Sequence, residues 1–406
     1  MIAFEEARKK ILRRTRVLPT LKKQILDSLD YVLAEDIRSG INIPPFDNSA
    51  MDGFAVRFAD AREARRRHPV SVKIIDDIAA GKTSRKQVKR GEAIRIMTGA
   101  PLPRGADSVV MVENTAVEGD RVKVYVAVTK EENVRLAGED IRKGERALRK
   151  GTLIRPQEMG ILASLGKKEI RVIRRPKVAI ISTGDELVSI DQPLAPGKIR
   201  DSNRYALNGQ ILKAGGEVVD LGIVPDDETK LIKTIKKAAD QADVVLTTGG
   251  VSVGDYDLVK EILAKVGQIH FWRVNIKPGK PLLFGSIKGK LLFGLPGNPV
   301  SSMVVFDQFV RPCLLKMAGR KKLFRKKETV IIKEKAEKKE GRREFVRGKL
   351  SLEKGKYVAY LTGPQGSGIL KSMSLADGLI ILPEEKDGVK KGDRVSFESF
   401  DYPERE

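Results

Sequence analysis

Two stretches decide the fold: Val244–Asp257, VVLTTGGVSVGDYD, and Leu291–Ser302, LLFGLPGNPVSS. Each runs from a short apolar segment into a turn of Gly, Pro, Asn and Ser, then into a helical pattern. This is the grammar of an anion site in an α/β fold. A parallel strand delivers the chain to the sheet's carboxyl edge, glycines let backbone N–H groups approach a ligand, and the following helix points its positive end there. Between the two, Ile276–Pro281, IKPGKP, sets two lysines in a proline-stiffened turn. Together these features predict a phosphate or oxyanion ligand.

Outward from this centre, strands 178–183, 217–224, 243–248, 281–287 and 290–295 interleave with helices Asn203–Lys213, Glu228–Ala239 and Leu258–Val266. Alternating β and α predict a three-layer α/β unit with a mostly parallel sheet. Upstream, apolar spacing at Leu21, Ile25, Leu29 and Val32 predicts a helix over Thr20–Ile37, and Phe58–Arg67 reads as a charged helix. From Val70 to Val128 short β runs separated by turn residues predict a β-rich domain. Gly144–Leu153 reads as a hairpin, followed by a short helix from Pro156. Downstream of Gly319 a basic connector leads into five β runs, a C-terminal β domain or barrel.

The composition excludes several classes. At 406 residues the chain is too long for one ordinary core. No stretch reaches the ~18 apolar residues of a membrane span, and the amphipathic start, MIAFEEARKKILRRT, lacks a signal-peptide core. A single cysteine, Cys313, rules out an intrachain disulfide and fits a reducing cytoplasm. With two histidines in the chain, any metal is expected to be held by oxygen. The formal charge is +23, yet basic residues interleave with acids, as in Lys333–Lys339, and aromatics make up 5%. That pattern suits a solvated surface of the kind found in hot environments better than a nucleic-acid stripe. The field still draws anions inward.

The chemistry-bearing candidates sit at predicted strand ends. Thr248, Gly249, Gly250, Ser252 and Gly254 form the first glycine turn, with Asp255 and Asp257 at the helix start; Asp185 and Glu186 follow one strand, Asp226 and Asp227 another. Each acid alone is most simply a helix cap, worth ~0.3–1 kcal/mol. Acids from three strand tips would repel one another unless a cation joined them, which points to a magnesium-type site. Lys277 and Lys280 supply charge, Ser301 and Ser302 caps or oxyanion donors. Asp47–Gly53, Met97–Pro101 and Ala137–Asp140 are polar loops for which a plain turn remains an open reading.

Taken as a set, FDNSAMDGFAV, RIMTGAPLPRGADSVVMVE, LAGEDIRKGE, ISTGDEL, DSNRYAL, GIVPDDE, TTGGVSVGDYD, FWRVNIKPGKPLLFG and GLPGNPVSS resemble the MoeA family of molybdopterin molybdenumtransferases, which includes the E domain of gephyrin. The resemblance runs in order over nearly the whole chain. It implies an N-terminal helix (1–19) packing on the α/β domain and a discontinuous linking α+β domain (20–45 with 141–176). It further implies a β-rich inserted domain (46–140), a molybdopterin-binding α/β domain (177–322) and a C-terminal β-barrel-like domain (323–406). It also implies a cytoplasmic homodimer whose cleft lies between the β insertion of one subunit and the α/β and C-terminal domains of the other. The implied reaction is Mg²⁺-dependent cleavage of adenylylated molybdopterin, release of AMP and insertion of molybdate or tungstate into the dithiolene. A separate molybdopterin adenylyltransferase would supply the substrate, and neither nucleic acid nor membrane is an expected partner. Matched motif by motif, Asp52, Thr98, Asp140 and Glu186 would be catalytic. Asp226 and Asp257, with Glu186, would hold the metal. Lys277, Lys280 and Ser301, with the loop shaped by Pro296 and Pro299, would bind the oxyanion, and Arg347 and Ser367 would reach the same cleft. An adenylyltransferase, a receptor-gathering scaffold and a nucleic-acid binder are the competing readings.

Overall fold

The structure is a computed structural model that describes residues 1–250, 258–338 and 341–400, so the expectations for Ser252, Gly254, Asp255 and Asp257 fall outside the described residues. The chain divides into two compact units, one of residues 1–22, 30–34 and 171–406, the other of 23–29 and 35–170.

The smaller unit is built on a six-stranded sheet in the order Ser108–Met111, Gly53–Val56, Glu92–Ile96, Val70–Ile78, Arg121–Val124, Thr115–Glu118. Phe54, Val56, Val72, Val110 and Val122 form its buried core. The strand at Gly53–Val56 can lie against Ser108–Met111 because residue 53 has no side chain: a Cβ there would sit 1.9 Å from the Val110 carbonyl oxygen. Two local expectations need correction. The Phe58–Arg67 helix is a single turn, Phe58–Ala61. Gly144–Leu153 is not a hairpin, since Arg146–Leu148 pairs antiparallel with the distant Ile37–Arg38. Helix Pro156–Ser164 forms as expected, with Pro in its first turn and the Glu158 carboxylate accepting the Arg155 N–H at 3.0 Å.

The helix expected over Thr20–Ile37 is also absent. Thr20–Gln24 and Val32–Leu33 are strands around a 3-10 turn at Ile25–Asp27. Leu21 and Leu29 are exposed, so the helical spacing had no buried face to serve. Asp30 adopts φ +65, a left-handed conformation that breaks a helix.

In the larger unit, helix α1 (Phe4–Arg14) precedes an α/β sheet. Its elements are β1 (Lys177–Thr183), α2 (Ser202–Lys213), β2 (Glu217–Val224), α3 (Glu228–Gln241), β3 (Val244–Thr248), α4 (Leu258–Val266), β4 (Gln268–Trp272), β5 (Leu283–Ile287) and β6 (Lys290–Leu295). The order is β2-β1-β3-β6-β5-β4; the first four are parallel and β5 runs antiparallel to both neighbours. Successive side chains alternate between faces. Val178 and Ile180 pack with Leu207 and Ile211 of α2, while Ala179 and Ile181 pack with Leu231 and Ile235 of α3 and Ile262 of α4. Burial on both faces explains why these strands read as continuous apolar runs.

After β6 one long helix spans three segments: Pro299–Val305, a π-helical turn at Phe306–Val310, and Arg311–Met317. Pro312 lacks an N–H and cannot bond the carbonyl four residues back. That carbonyl, of Gln308, instead accepts Arg8 Nε at 3.1 Å, and Gln308 Oε1 accepts Arg8 Nη2 at 2.5 Å. Gln308 Nε2 donates to Glu398 at 2.9 Å and Arg325 Nε to Asp307 at 2.8 Å. Phe4 meets Phe309 and Phe345 at 5.3 and 5.4 Å. Glu398 and Phe345 belong to the C-terminal strands β7 (Lys327–Ile332), β8 (Arg343–Glu353), β9 (Lys356–Leu361), β10 (Gly378–Leu382) and β11 (Arg394–Ser399). These close into a five-stranded barrel, β8-β9-β7-β11-β10, with β10 returning to β8. No helix among the described residues is long and apolar enough to cross a membrane.

The amino ends of β1 and β3 are pinned by Asp243, which is buried. It accepts two bonds from Arg174, at 2.6 and 2.7 Å, and one from the Lys177 N–H at 3.0 Å. Burial pushes its pKa up, but the Arg174 and Lys177 bonds outweigh it and hold the carboxyl below its ordinary value. A depressed folded value means that the stabilisation is present above the ordinary carboxylate range and is lost as pH falls through the folded value. Asp243→Asn is therefore expected to cost ~2–4 kcal/mol at neutral pH, with the gap to wild type narrowing below pH ~4. Urea unfolding at both pH values checks this.

Candidate active site

The carboxyl tips of β1, β3 and β6 open onto a pocket of about 410 Å³ whose walls include Thr183, Glu186, Asn203, Thr248, Gly249 and Asn298. Thr183, the last residue of β1, donates its hydroxyl to Asp226 Oδ1 at 2.7 Å, and the Asp226 N–H donates to Asp185 Oδ1 at 3.2 Å. The turns after β1 and β2 are thereby tied together, with Glu186 three residues beyond Thr183. The next tie comes from α2. The Asn203 side-chain amide donates to Thr248 Oγ1 and to the Gly297 carbonyl, both at 2.7 Å. Asp201, nearly fully buried, caps α2 by accepting the Arg204 N–H at 3.1 Å. Gly249 has φ +87, and a Cβ on it would lie 1.9 Å from the Thr183 carbonyl oxygen. Only glycine lets the β3 turn press against the β1 tip.

Of the sequence-predicted residues, Glu186, Thr248, Gly249, Pro296 and Pro299 line this pocket. Asp226 stands one hydrogen bond behind Thr183. Gly250, at φ +63, is half-buried beside it. Ser367 joins through the PGNP loop: Asn298 Nδ2 donates to its hydroxyl at 3.1 Å, and its carbonyl accepts the Val300 N–H at 3.1 Å. Arg347 lies elsewhere than the sequence suggested. It is 1% exposed, and its guanidinium donates to Ser372 Oγ and the Gly366 carbonyl, each at 3.0 Å. Burial pushes its pKa down to about 10. Arg347 thus holds the 363–368 loop from behind instead of facing the pocket.

Lys277, Lys280 and Ser301 are not among the pocket's lining residues, although Pro281 is. Ile276–Lys277 forms a short parallel pairing with Arg343–Glu344 of the barrel, and Lys277 Nζ lies 3.2 Å from Glu344 Oε1. Lys277 is exposed, Lys280 half-buried and Ser301 buried in the first turn of its helix. Among the described residues no group of three or more His, Cys, Asp or Glu gathers closely enough to hold a metal ion.

Asp52, Thr98 and Asp140 belong to the smaller unit, where three polar loops converge. Asp52 Oδ1 accepts both the Thr98 N–H and hydroxyl at 2.7 Å. These two bonds, backbone first, hold the exposed carboxyl below its ordinary pKa. Ser49 exchanges backbone bonds with Ala100 and Gly99, at 3.0 and 2.8 Å. Asp47 Oδ1 accepts the Ala137 N–H at 2.7 Å, and the exposed Asp140 donates its N–H to the Ile43 carbonyl at 3.1 Å. Sequence reasoning gave no role to Thr183, Asn203 or Asn298. The signal for the asparagines was their place in DSNRYAL and PGNP, short polar segments at helix starts.

Family models match the chain in three blocks: the MoeA N-terminal region (domain I and II) over residues 2–166, a probable molybdopterin binding domain over 179–316, and the MoeA C-terminal region (domain IV) over 329–400. A molybdopterin molybdenumtransferase of Haemophilus influenzae is 38% identical over 407 residues, covering 99% of each chain. The chain belongs to the MoeA family. A second molybdopterin molybdenumtransferase, from Nostoc, is 40% identical over 373 residues, covering 90% of this MoeA-family chain and 85% of its own. The crystal structure of a molybdopterin biosynthesis MoeA protein from Pyrococcus horikoshii superposes with a TM-score of 0.84 at 34% identity, covering 98% of this chain and 100% of that one.

Asn203→Ala removes the two bonds by which its amide bridges the β3 tip and the PGNP loop, leaving the Thr248 hydroxyl on the Pro296 carbonyl at 3.4 Å. At ~1 kcal/mol per bond the expected stability loss is about 1–2 kcal/mol. Urea unfolding and a thermal melt of the variant beside wild type check this.

Proposed function

We propose that this chain is a molybdopterin molybdenumtransferase that cleaves adenylylated molybdopterin, releases AMP and places molybdate or tungstate in the dithiolene. The observation that carries this reading is the strand-tip pocket, where an acid, a threonine, a left-handed glycine turn and the PGNP loop converge. Relatives named for this activity, aligned from end to end, support it.

The donor set suits a hard cation. Glu186 and Asp226 offer exposed carboxylates from adjacent strand tips, and Asp226 is steadied by the Thr183 hydroxyl at 2.7 Å. Glu186 and Asp226 would hold Mg²⁺ together with Asp257 and the substrate's phosphates. The bound ion would supply charge neutralisation at the anhydride. The backbone N–H groups of Gly249 and Gly250 orient the phosphates, and Asn203 and Asn298 fix the wall against which they rest. Lys277, held by Glu344, and Lys280 lower the repulsion between the phosphates and an incoming dianion. Asp52, kept ionised by Thr98, accepts a proton from the attacking water and then passes that same proton to a departing oxide oxygen.

Asp52, Thr98 and Asp140 complete the site from a second copy of the chain, so the working form is a homodimer. A separate adenylyltransferase supplies the activated substrate. Single turnover with adenylylated molybdopterin, Mg²⁺ and molybdate is expected to release stoichiometric AMP. Glu186→Gln and Asp52→Asn are each expected to slow it ~100-fold or more. Mixing these two variants after subunit exchange is expected to restore about a quarter of wild-type activity, because half the dimers then carry one intact cleft. Normal AMP release by Glu186→Gln removes the proposal; no recovery on mixing removes the shared cleft.

A further inference from the structure

At the amino ends of the same parallel strands, ~20 Å from their carboxyl tips by strand length, lies a second cavity of about 630 Å³. Its charged lining is Arg14, Arg16, Arg174, Lys290 and a single acid, Asp243. Asp243 is already engaged, bonded twice to Arg174 and 3.8 Å from Lys290 Nζ. Arg14 and Arg16 therefore line a concavity whose wall has no acid left to balance them. The side chain of His270 also lines it, half-buried, with Nε2 3.2 Å from Ser286 Oγ. Burial and then the charge of Arg14 hold the imidazole below its ordinary pKa.

Four cations around one engaged carboxylate leave this concavity net positive, and guanidinium forks match tetrahedral phosphate oxygens. Val17, Leu18 and Met317 add an apolar wall. Nothing in the proposed reaction uses these residues. We propose that this cavity is a second anion site, binding a small phosphate-bearing molecule at the edge of the sheet opposite the candidate active site. Arg14 and Arg16 grip the phosphate, and the apolar wall receives any organic portion. This inference does not rest on the proposed reaction and stands or falls separately from it.

The chain has two histidines, His68 and His270, and only His270 lines the cavity. Protein labelled with carbon-13 at histidine Cε1 is titrated with inorganic pyrophosphate and, separately, with AMP at constant ionic strength. Saturable movement of the His270 resonance is expected, with its pKa rising as anion charge offsets Arg14 and with His68 unmoved. The double variant Arg14→Gln/Arg16→Gln, altered at two exposed positions, is expected to fold normally by thermal melt and to bind at least tenfold more weakly. Tighter binding of AMP than of pyrophosphate assigns a nucleotide; the reverse assigns a ligand recognised by its phosphates alone. An unmoved His270 with both anions, a shift reproduced by potassium chloride alone, or an unchanged response in the double variant overturns the proposal.

Discussion

The geometry of the candidate site depends on the ties between strand tips, where the β3–β6 ladder is reinforced by one side chain, the amide of Asn203. Its two donor hydrogens reach the Thr248 hydroxyl and the Gly297 carbonyl, which lie on turns that follow different strands. Loops that carry backbone donors for an anion are useful only if their spacing is fixed before the ligand arrives. Here the ladder between β3 and β6, the Thr248–Pro296 bond and the planar Asn203 amide set that spacing together, and Gly249 packed against the Thr183 carbonyl sets the other side of the triangle. The Thr183–Asp226 bond then brings a carboxylate to the same edge. The strand-tip pocket is held by a few short bonds at strand ends.

A second constraint acts within the larger unit. Pro312 frees the Gln308 carbonyl, and Arg8 fills the gap left in the helix. The same glutamine reaches Glu398 of the barrel, so the N-terminal helix, the long helix after PGNP and the barrel share one buried polar network under a common aromatic core. The helix that starts at Pro299 carries the PGNP loop at its head, so this network anchors the helix that the loop leads into. Arg347 works similarly at the 363–368 loop, with its charge held by a hydroxyl and carbonyls in place of an acid.

The α/β sheet was legible because its central strands β1, β3 and β6 are buried on both faces and read as apolar runs between glycine and proline turns; β6 and the edge strand β2 match the expected spans to the residue. The helix expected from Leu21, Ile25, Leu29 and Val32 failed because periodicity reports a face only where something covers it, and Leu21 and Leu29 are exposed. The pairing of Arg146–Leu148 with Ile37–Arg38 was invisible because it joins segments a hundred residues apart in a chain read locally. At the site, acids and glycines announced themselves by type and position. Asn203 did not, since an asparagine at a helix start looks like a cap, and only its distances to Thr248 and Gly297 show what it holds. The role expected of Arg347 turned on burial, which a sequence does not display.

The amino end of the sheet gathers more cations than acids, in keeping with a chain of formal charge +23. What distinguishes the strand tips is the presence of free acid beside the anion-binding backbone. The most direct measurement is a crystal structure of the chain soaked with AMP, Mg²⁺ and molybdate. The account predicts the AMP phosphate against the Gly249–Gly250 turn, with the cation between it and the carboxylates of Glu186 and Asp226. Saturating AMP that leaves the strand-tip pocket empty, or a cation bound away from both carboxylates, would contradict it.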